Sequence, residues 1–445
     1  MIKAGFVSLG CVKNLVDTEV MLGLLQDGGV ELIDDPAEAD ILVVNTCGFI
    51  DAAKEESLQT ILQMAEFKKT GRCRGLIVAG CLGQRYQQEL LDEMPEVDVI
   101  LGTAAWGRIQ EAVAAALEGR RALFIDSLTT LYDEKTPRIS TMPSYSAYVK
   151  VAEGCSNCCT YCVIPSVRGA FRSRPIESVV EEVRHLAQKG VREINLVAQD
   201  TTSYGKDLYG QPNLVALLKE LAVIDGVEWI RLLYCYPRYF TDELIAYMAS
   251  EPKICRYVDL PLQHIHDGVL QAMNRRDRQA DIDLLLQKIR QAMPDVVLRT
   301  SFIVGFPGET EEQFAFLEQW LETARFDHVG VFTYSQEEGT AAGAMAEQVP
   351  EEVKQERYHR LMALQSKISE EINRSLEGRE LQVIVTGLDE TRPEVILARS
   401  YREAPDVDGQ IYVETSGQDG LKVGDSLKVR IAQGFSYDLV AEIVD

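Results

Sequence analysis

The sequence predicts an α/β protein in three parts: an open parallel sheet, a partial parallel (β/α)6 barrel and a small five-stranded β-barrel. Short apolar runs alternate with helix-like segments over most of the 445 residues, which favours parallel sheets. A polar segment with two prolines, 126–144, interrupts that alternation, and only strand-like runs follow residue 378. A chain of this length also exceeds what one hydrophobic core usually serves, so we expect three domains.

The open-sheet domain is expected at residues 1–125. Its predicted strands are typical of strands buried on both faces, and they are the apolar runs 3–9, 40–46, 75–80 and 97–102. Its predicted helices lie between them, at 14–28, 51–69 and 84–93. Residues 126–144 have the polar, proline-containing composition of a linker.

The barrel domain is expected at residues 145–375. Its predicted strands are 147–152, 193–198, 229–234, 256–260, 297–304 and 328–334. Its predicted helices are 175–189, 213–223, 241–250, 279–293 and 311–323, and a polar helix over 351–376 closes the domain. Parallel barrels carry their active sites at the carboxyl ends of the strands, so we expect the site there.

The tail, residues 378–445, contains strand-like runs without helical periodicity. They are LQVIVTG, EVILARS, QIYVET, SLKVRIA and DLVAEIV. Five short strands in so short a segment favour a small closed β-barrel.

Bulk composition narrows the function. No run reaches the roughly 18 apolar residues that cross a bilayer, and the N-terminal stretch lacks the pattern of a secretory signal, so we expect a cytoplasmic protein without membrane contact. Ten cysteines in that reducing compartment indicate metal or redox chemistry rather than disulfides. The net charge of −24 disfavours stable DNA binding and favours a basic protein partner.

Four cysteines stand in nine residues in GCSNCCTYC, 154–162. A four-cysteine zinc site usually takes two separated pairs, and the adjacent Cys158 and Cys159 are poorly placed to reach one ion. Cys155, Cys159 and Cys162 instead form a compact C-x3-C-x2-C loop, which suits an iron–sulfur cluster. Three thiolates would leave one iron of a four-iron cluster open for chemistry. We expect Cys158 to be a bystander thiol.

A second cysteine set is spread over the open sheet. Cys11, Cys47 and Cys81 each follow an apolar run predicted to be a strand. The carboxyl ends of parallel strands meet at one edge, where open α/β sheets bind ligands. The neighbouring Gly10, Gly48, Gly80 and Gly83 would let the loop backbones approach a bulky cluster. The alternative is three core cysteines, which are frequent, but three equivalent positions favour a second metal site.

These features together resemble the radical S-adenosylmethionine (radical SAM) methylthiotransferases, and the resemblance covers essentially the whole chain, including a TRAM-like tail barrel. The stretches similar to the branch that modifies a ribosomal protein are VSLGCVKNLVDTE (7–19), NTCGFIDAAKEES (45–57), GCLGQRY (80–86), LLYCYP (232–237), DLPLQH (259–264), SFIVGFPGETEE (301–312) and REAPDVDG (402–409). The tRNA-directed branch typically has PVQSGS where this chain has PLQHIH.

The resemblance implies two [4Fe–4S] clusters and S-adenosyl-L-methionine (AdoMet). The implied ligands are Cys155, Cys159 and Cys162 at one site and Cys11, Cys47 and Cys81 at the other. The first cluster would generate the 5′-deoxyadenosyl radical, which takes a hydrogen from the β-carbon of an aspartate in small-subunit ribosomal protein twelve. The second would hold the inserted sulfur, and a second AdoMet would donate the methyl group. The implied partners are that basic protein and a low-potential electron donor.

The resemblance also implies residues that contact AdoMet: Tyr161, Gln199, Gln263, Gly305 and Gly308. The last two have a structural alternative, because Thr310 and Gln313 fit a capping box that begins the next helix. His264 and His266 lack a third metal-binding partner, and we expect structural roles for both.

Two other functions fit part of this pattern. A tRNA-directed methylthiotransferase would use the same clusters, but it predicts a basic tail barrel. Residues 379–445 instead contain seven Lys and Arg against thirteen Asp and Glu. A non-enzymatic iron–sulfur scaffold would not need a three-ligand loop. We therefore favour a methylthiotransferase that acts on a basic ribosomal protein.

Overall fold

The computed structural model describes residues 1–389, 391–392, 394–415 and 420–444. It contains an open six-stranded sheet, a second six-stranded sheet and a closed five-stranded barrel, in that order along the chain. The predicted fold class is confirmed.

The first sheet is entirely parallel, with strand order β2-β1-β3-β4-β5-β6. Its strands are β1 (Lys3–Ser8), β2 (Glu31–Leu32), β3 (Ile41–Thr46), β4 (Gly75–Gly80), β5 (Val99–Leu101) and β6 (Ala122–Phe124). Its helices are α1 (Val12–Asp27), α2 (Asp51–Ala65), α3 (Phe67–Thr70), α4 (Cys81–Glu93) and α5 (Ile109–Leu117). Every residue of β3 and β4 is buried, because helices cover both faces of the sheet.

Two helices of this domain begin earlier than the sequence predicts. Helix α1 begins at Val12 rather than 14, directly after Cys11, and α4 begins at Cys81 itself rather than at 84. Gly80 has φ +90°, which only glycine adopts readily, so β4 turns into α4 without a loop. The helix predicted over 51–69 is divided at Glu66, and α5 and β6 were not predicted.

The second sheet is also parallel, with strand order β7-β10-β11-β12-β13-β14. These strands are β7 (Ser146–Lys150), β10 (Glu193–Val197), β11 (Trp229–Leu232), β12 (Ile254–Asp259), β13 (Val297–Val304) and β14 (His328–Thr333), and the short pair β8 (Ala152–Glu153) and β9 (Arg172–Ser173) follows β7. Its helices are α6 (Ile164–Arg168), α7 (Ile176–Gln188), α8 (Lys206–Tyr209), α9 (Leu214–Ala222), α10 (Asp242–Ser250), α11 (Asp267–Ala272), α12 (Gln279–Ala292), α13 (Glu311–Ala324) and α14 (Glu351–Arg374). The sheet ends at β7 and β14, so the barrel is partial.

The tail barrel has strand order β15-β16-β17-β19-β18 and is closed. Its strands are β15 (Glu380–Leu388), β16 (Val395–Ser400), β17 (Ile411–Glu414), β18 (Ser426–Gly434) and β19 (Leu439–Ile443). All five strands predicted for the tail are present.

The tail barrel is anchored to the partial barrel by buried charges. Arg399 Nη2 donates to Glu193 Oε2 at 2.6 Å, and Arg231 Nη1 donates to the Tyr401 carbonyl at 2.7 Å. Although burial alone would raise it, Arg399 and Arg231 lower the pKa of Glu193 to about 2. No helix among the described residues is long and apolar enough to span a bilayer.

Candidate functional site

The three separated cysteines lie at one edge of the first sheet. Strands β1, β3 and β4 are neighbours, and each leads at its carboxyl end to one of these residues. Cys11 caps α1, Cys47 follows β3, and Cys81 is the first residue of α4. The side chain of Asn14, in the first turn of α1, lies 3.7 Å from Cys81 Sγ and donates at 2.8 Å to the carbonyl of Thr46, which precedes Cys47. The structure therefore brings together the three cysteines that the sequence predicts as one site.

Two glycines make this approach possible. A Cβ atom on Gly10, which has φ +86°, would lie 2.9 Å from Cys47 Cβ and 3.3 Å from Cys47 Sγ. A Cβ atom on Gly48 would lie 2.9 Å from the backbone nitrogen of Leu82. Because only glycine leaves this space open, the three cysteine loops form a narrow cradle of thiols that fits a cluster held from three sides.

The thiols of this site differ electrostatically. Burial raises the pKa of Cys81 to about 11 and also raises the pKa of Cys47. Burial acts in the same direction on Cys11, but the cations Lys13 and Arg168 outweigh it and lower the pKa of this thiol. Thiolates are the form that binds metal, and these two cations favour the thiolate form of Cys11.

The C-x3-C-x2-C loop lies between β8 and α6, directly beyond the first strand of the partial barrel. Backbone N–H groups of Asn157 and Ile164 donate to the Sγ atoms of Cys155 and Cys162, each at 3.5 Å. Burial is the main cause that raises the pKa of Cys155 to about 11, and the nearby Asp200 and Cys159 act in the same direction. The loop therefore already directs backbone N–H donors at two of its three candidate sulfur ligands.

Cys158 differs from its neighbours in the loop. It is exposed, has φ +52°, and its Sγ lies 3.7 Å from the Ser156 carbonyl oxygen.

Among the described residues, no three His, Cys, Asp or Glu side chains are grouped closely enough to hold a single metal ion. A four-iron cluster binds each thiolate to a different iron, so its cysteines stand further apart than the ligands of one ion.

Comparison with known proteins gives the family. Residues 3–102 match the uncharacterized protein family UPF0004, residues 149–321 match the radical SAM superfamily, and residues 378–444 match the TRAM domain. The chain is 52% identical over 440 residues to the ribosomal protein uS12 methylthiotransferase RimO of Desulforamulus reducens, covering 99% of both chains. It is 53% identical over 443 residues to RimO of Geobacter sulfurreducens, covering 99% of this chain and 98% of that one.

The chain belongs to the RimO family. The family resemblance predicted from its motifs is thereby confirmed.

The fold of this RimO-family chain is also similar to that of a solved enzyme. The structure of the radical S-adenosylmethionine methyltransferase TsrM from Kitasatospora setae, with cobalamin and a [4Fe–4S] cluster bound, superposes with a TM-score of 0.58 at 15% identity. The match covers 77% of this chain and 76% of that chain. At this identity the likeness concerns the fold alone.

Of the residues predicted to contact AdoMet, Gln199 is the one whose side chain has an unsatisfied hydrogen-bond acceptor. Its Nε2 donates to Glu153 Oε1 at 2.8 Å, while its own Oε1 is buried and has no hydrogen-bond partner among the described residues. A buried acceptor of this kind is costly unless something donates to it. Tyr161 packs in an apolar cluster with Phe306 and Tyr334. Both assignments stay predictions.

The other three predicted contacts have backbone roles in the structure. Gln263 lies beyond β12 rather than at a strand end, with φ +69°, and forms a parallel bridge to Phe302. Gly305 N donates to Glu309 Oε2 at 2.7 Å, and a Cβ atom on Gly305 would lie 2.3 Å from Lys354 Cγ. Gly308 has φ +79° in the same loop. These contacts explain the two glycines without a ligand, and a role toward AdoMet stays a prediction.

The capping box and the histidines behave as expected. Thr310 and Gln313 exchange side-chain and backbone hydrogen bonds at the start of α13. His264 Nδ1 accepts from the His266 N–H at 3.0 Å, and His266 caps α11. Both histidines therefore hold backbone in place.

Sequence reasoning missed a buried charge cluster between the two cysteine sites. Lys150 Nζ is 2.5 Å from Glu153 Oε2 and is also paired with Asp17, while Arg168 Nη1 lies 2.9 Å from Asp17 Oδ2 and 3.0 Å from Glu153 Oε1. All four side chains are at most 10% exposed. Two cations and two anions compensate each other, which is the condition for burying charge. The only sequence signal was their closeness to the cysteines.

A second missed contact joins the open sheet to the other edge of the barrel. Glu337, which follows β14, is 1% exposed. Its Oε2 lies 2.8 Å from Lys54 Nζ of α2 and 2.7 Å from Arg85 Nη1 of α4. The open-sheet domain is therefore held at both edges of the partial barrel, through Arg168 near β7 and through Glu337 near β14.

Proposed function

We propose that this chain is a ribosomal protein uS12 methylthiotransferase, which replaces a hydrogen on the β-carbon of an aspartate by a methylthio group. The observation that carries the proposal is the pair of three-cysteine sites at one domain boundary. The proposal is supported by sequence identity, because the chain is about half identical, over nearly its whole length, to relatives named for that activity.

The reaction requires chemistry that side chains lack. An aliphatic C–H bond has no useful acidity, so a general base cannot open it. When bound, AdoMet and two [4Fe–4S] clusters would supply the radical, the sulfur and the methyl group. Cys155, Cys159 and Cys162 would hold the cluster that serves AdoMet cleavage, and the second cysteine set would hold the other.

The residues of the chain would bind, orient and exclude water. The Gln199 Oε1 atom would accept a hydrogen bond from a donor such as the AdoMet amino group. Asn157 Nδ2 donates to Asp200 Oδ2 at 2.9 Å, which ties the cysteine loop to the loop after β10. The charge cluster between the two sites is buried, with side chains at most 10% exposed, and a site that excludes water would protect a reactive carbon radical.

The charge of the chain supports a basic protein substrate. The net charge is −24, and the tail barrel is itself acidic, which is unfavourable for phosphate binding. A basic ribosomal protein would be attracted to this field. The tRNA-directed alternative is not favoured, because the relatives reported above are named for uS12.

We further infer a cytoplasmic location. We also infer a low-potential electron donor as a partner, because AdoMet cleavage requires an electron.

The test is the intact mass of uS12 from cells with and without this gene. We expect loss of one methylthio group from an aspartate in the deletion strain, and its return when the wild-type gene is restored. A strain restored with Cys159→Ala is the matched control and should stay unmodified. If uS12 is unchanged and methylthio-adenosine disappears from tRNA instead, the assigned substrate is wrong.

A further inference from the structure

We propose that Asn14 and Arg168 form a positioning bridge that sets the relative placement of the two cysteine sites. Neither residue is a predicted cluster ligand. Asn14 belongs to the open-sheet domain and Arg168 to the barrel domain, and they meet between the two sites. The inference rests on the proposed function for what the two sites exchange, but its geometry does not depend on the substrate.

Asn14 contacts the loops of all three separated cysteines through one side-chain amide. Its Nδ2 donates to the Leu9 carbonyl at 3.1 Å and to the Thr46 carbonyl at 2.8 Å. Leu9 lies two residues before Cys11, and Thr46 directly precedes Cys47. The Asn14 Oδ1 atom lies 3.7 Å from Cys81 Sγ. An amide has donors and an acceptor at fixed angles, so a single rigid group holds the three loops in register.

Arg168 extends this contact into the barrel domain. Its Nη2 donates to Asn14 Oδ1, while Nη1 donates to Asp17 Oδ2 at 2.9 Å and to Glu153 Oε1 at 3.0 Å. Glu153 lies two residues before Cys155, and the side chain of Arg168 is only 2% exposed. The guanidinium therefore joins Asn14, which contacts the three loops of one cysteine site, to the side chain of Glu153, which lies just before the other site.

The bridge ends at the predicted AdoMet contact. Glu153 Oε1 accepts from Arg168 and also from Gln199 Nε2 at 2.8 Å. Four side chains thus connect the three-cysteine edge of the sheet to the carboxyl end of β10. Because each link is buried and hydrogen-bonded, the bridge fixes the placement of one site relative to the other, while each site keeps its own local contacts.

Only the planar guanidinium can make these contacts together. Lysine has one nitrogen, whereas the fork of Arg168 reaches Asn14, Asp17 and Glu153 from two nitrogens. The neighbouring Lys150 already occupies the other oxygens of Asp17 and Glu153. Arg168→Lys would keep the charge of the cluster and lose the contact with Asn14, so it separates geometry from charge.

A purely structural role would be shared by other buried contacts between the same domains. Arg138 makes such a contact. Its Nη1 lies 2.6 Å from Glu182 Oε1 of α7, and its Nε lies 2.8 Å from Glu19 Oε2 of α1. Neither partner belongs to a cysteine loop. Asn373 Nδ2 of α14 donates at 2.8 Å to the carbonyl of Phe435, which follows β18 of the tail barrel, a contact outside both cysteine loops. Arg138→Lys and Asn373→Ala are therefore matched controls for Arg168→Lys and Asn14→Ala.

The first experiment measures coupling in the reconstituted full chain. For each variant, 5′-deoxyadenosine and methylthiolated uS12 are quantified in the same reaction, together with iron per chain. We expect Arg168→Lys and Asn14→Ala to keep deoxyadenosine formation within about twofold, while deoxyadenosine formed per product rises by about tenfold or more, because small misplacements of reacting groups cost large rate factors. Both controls should keep the wild-type ratio. An unchanged ratio in Arg168→Lys, or an equal rise in Arg138→Lys, would overturn the proposal.

The second experiment needs neither cluster nor substrate. The full-length apoprotein is treated briefly with iodoacetamide, and the alkylation of each cysteine is read by mass spectrometry. We expect Asn14→Ala to speed alkylation of Cys11, Cys47 and Cys81 severalfold and to leave the C-x3-C-x2-C loop unchanged. An equal rise at all six cysteines, or no change at the first three, would refute the hub role of Asn14. Failure of wild type to modify uS12 would count against the proposed function alone.

Discussion

The two cysteine sites are built in opposite ways. The barrel site takes its three predicted ligands from one loop of eight residues, Cys155 to Cys162, and the loop's own N–H groups donate to two of the sulfur atoms. The sheet site takes Cys11, Cys47 and Cys81 from three strands whose order in space is set by the whole domain. A local site depends on backbone conformation, whereas a distributed site depends on packing. The two should therefore fail under different perturbations.

The largest contrast is expected from removal of one ligand at each site. Cys159→Ala should abolish AdoMet cleavage, by roughly a thousandfold or more, because the cofactor carries the chemistry. Cys47→Ala should abolish methylthio insertion while AdoMet cleavage continues. Chromatography of 5′-deoxyadenosine and mass spectrometry of uS12 from one reaction check both. Equal deoxyadenosine from wild type and Cys159→Ala would contradict the ligand assignment.

The next contrast substitutes one glycine at each site. Gly10→Ala would place Cβ 2.9 Å from Cys47 Cβ, and Gly154→Ala would place it 2.3 Å from the Ala170 carbonyl oxygen. Each also forces a positive φ on alanine, at about 1–2 kcal/mol. We expect each variant to lose roughly half of its bound iron after reconstitution, since one of two sites is distorted in each case.

Gly190→Ala is the control for these two substitutions. Its φ is +95°, but a Cβ atom there would meet no atom of the described residues within 4 Å, so it carries the strain without a clash. It should bind iron as wild type does. Iron loss in this variant would show that backbone strain alone explains the effect.

A smaller contrast concerns docking of the open sheet at the β14 edge. Glu337→Gln leaves Lys54 and Arg85 without their buried carboxylate, which should cost about 3 kcal/mol in the free energy of unfolding. Faster hydrogen exchange in α2 and α4, near Cys47 and Cys81, would report the loosened contact. The exposed Glu338→Gln is the neighbouring control and should change neither measurement. We expect iron at the sheet site to fall before iron at the barrel loop.

The smallest contrast is a pH effect confined to the barrel domain. Burial lowers the pKa of His264 to about 3, whereas an unfolded histidine titrates near 6.5. As the pH falls, the unfolded state therefore takes up a proton before the folded state does. The contribution of His264 to the free energy of unfolding is complete above pH 6.5 and falls below it, by up to about 1.4 kcal/mol for each pH unit.

Residues 1–125 contain no histidine, so the open sheet should not share this dependence. Hydrogen exchange of each domain between pH 7 and pH 5 is the measurement. His264→Gln should flatten the response of the barrel domain, while substitution of the exposed His185 should leave it unchanged. An equal acid response of both domains would rule out His264 as the cause.

The difference between the sites also explains what could be predicted. The C-x3-C-x2-C loop can be predicted as a candidate cluster site because its three cysteines are close in sequence. The sheet site was identifiable from three strand-end cysteines only because parallel strands share one carboxyl edge. The helix starts at Val12 and Cys81 were placed too late, since glycine and cysteine next to a strand are typical of a loop, and here the turn takes one residue.

The sequence by itself determined the three architectures, the family and the positions of both cysteine sets, because periodicity, spacing and motif are local properties. Only the tertiary structure decided that Asn14 reaches Cys81, 67 residues away, and that Arg168 reaches Asn14 across 154 residues. It likewise decided that Glu337 meets Lys54 and Arg85. These contacts join buried polar groups of different domains, and such groups find their partners only once packing has removed water from around them.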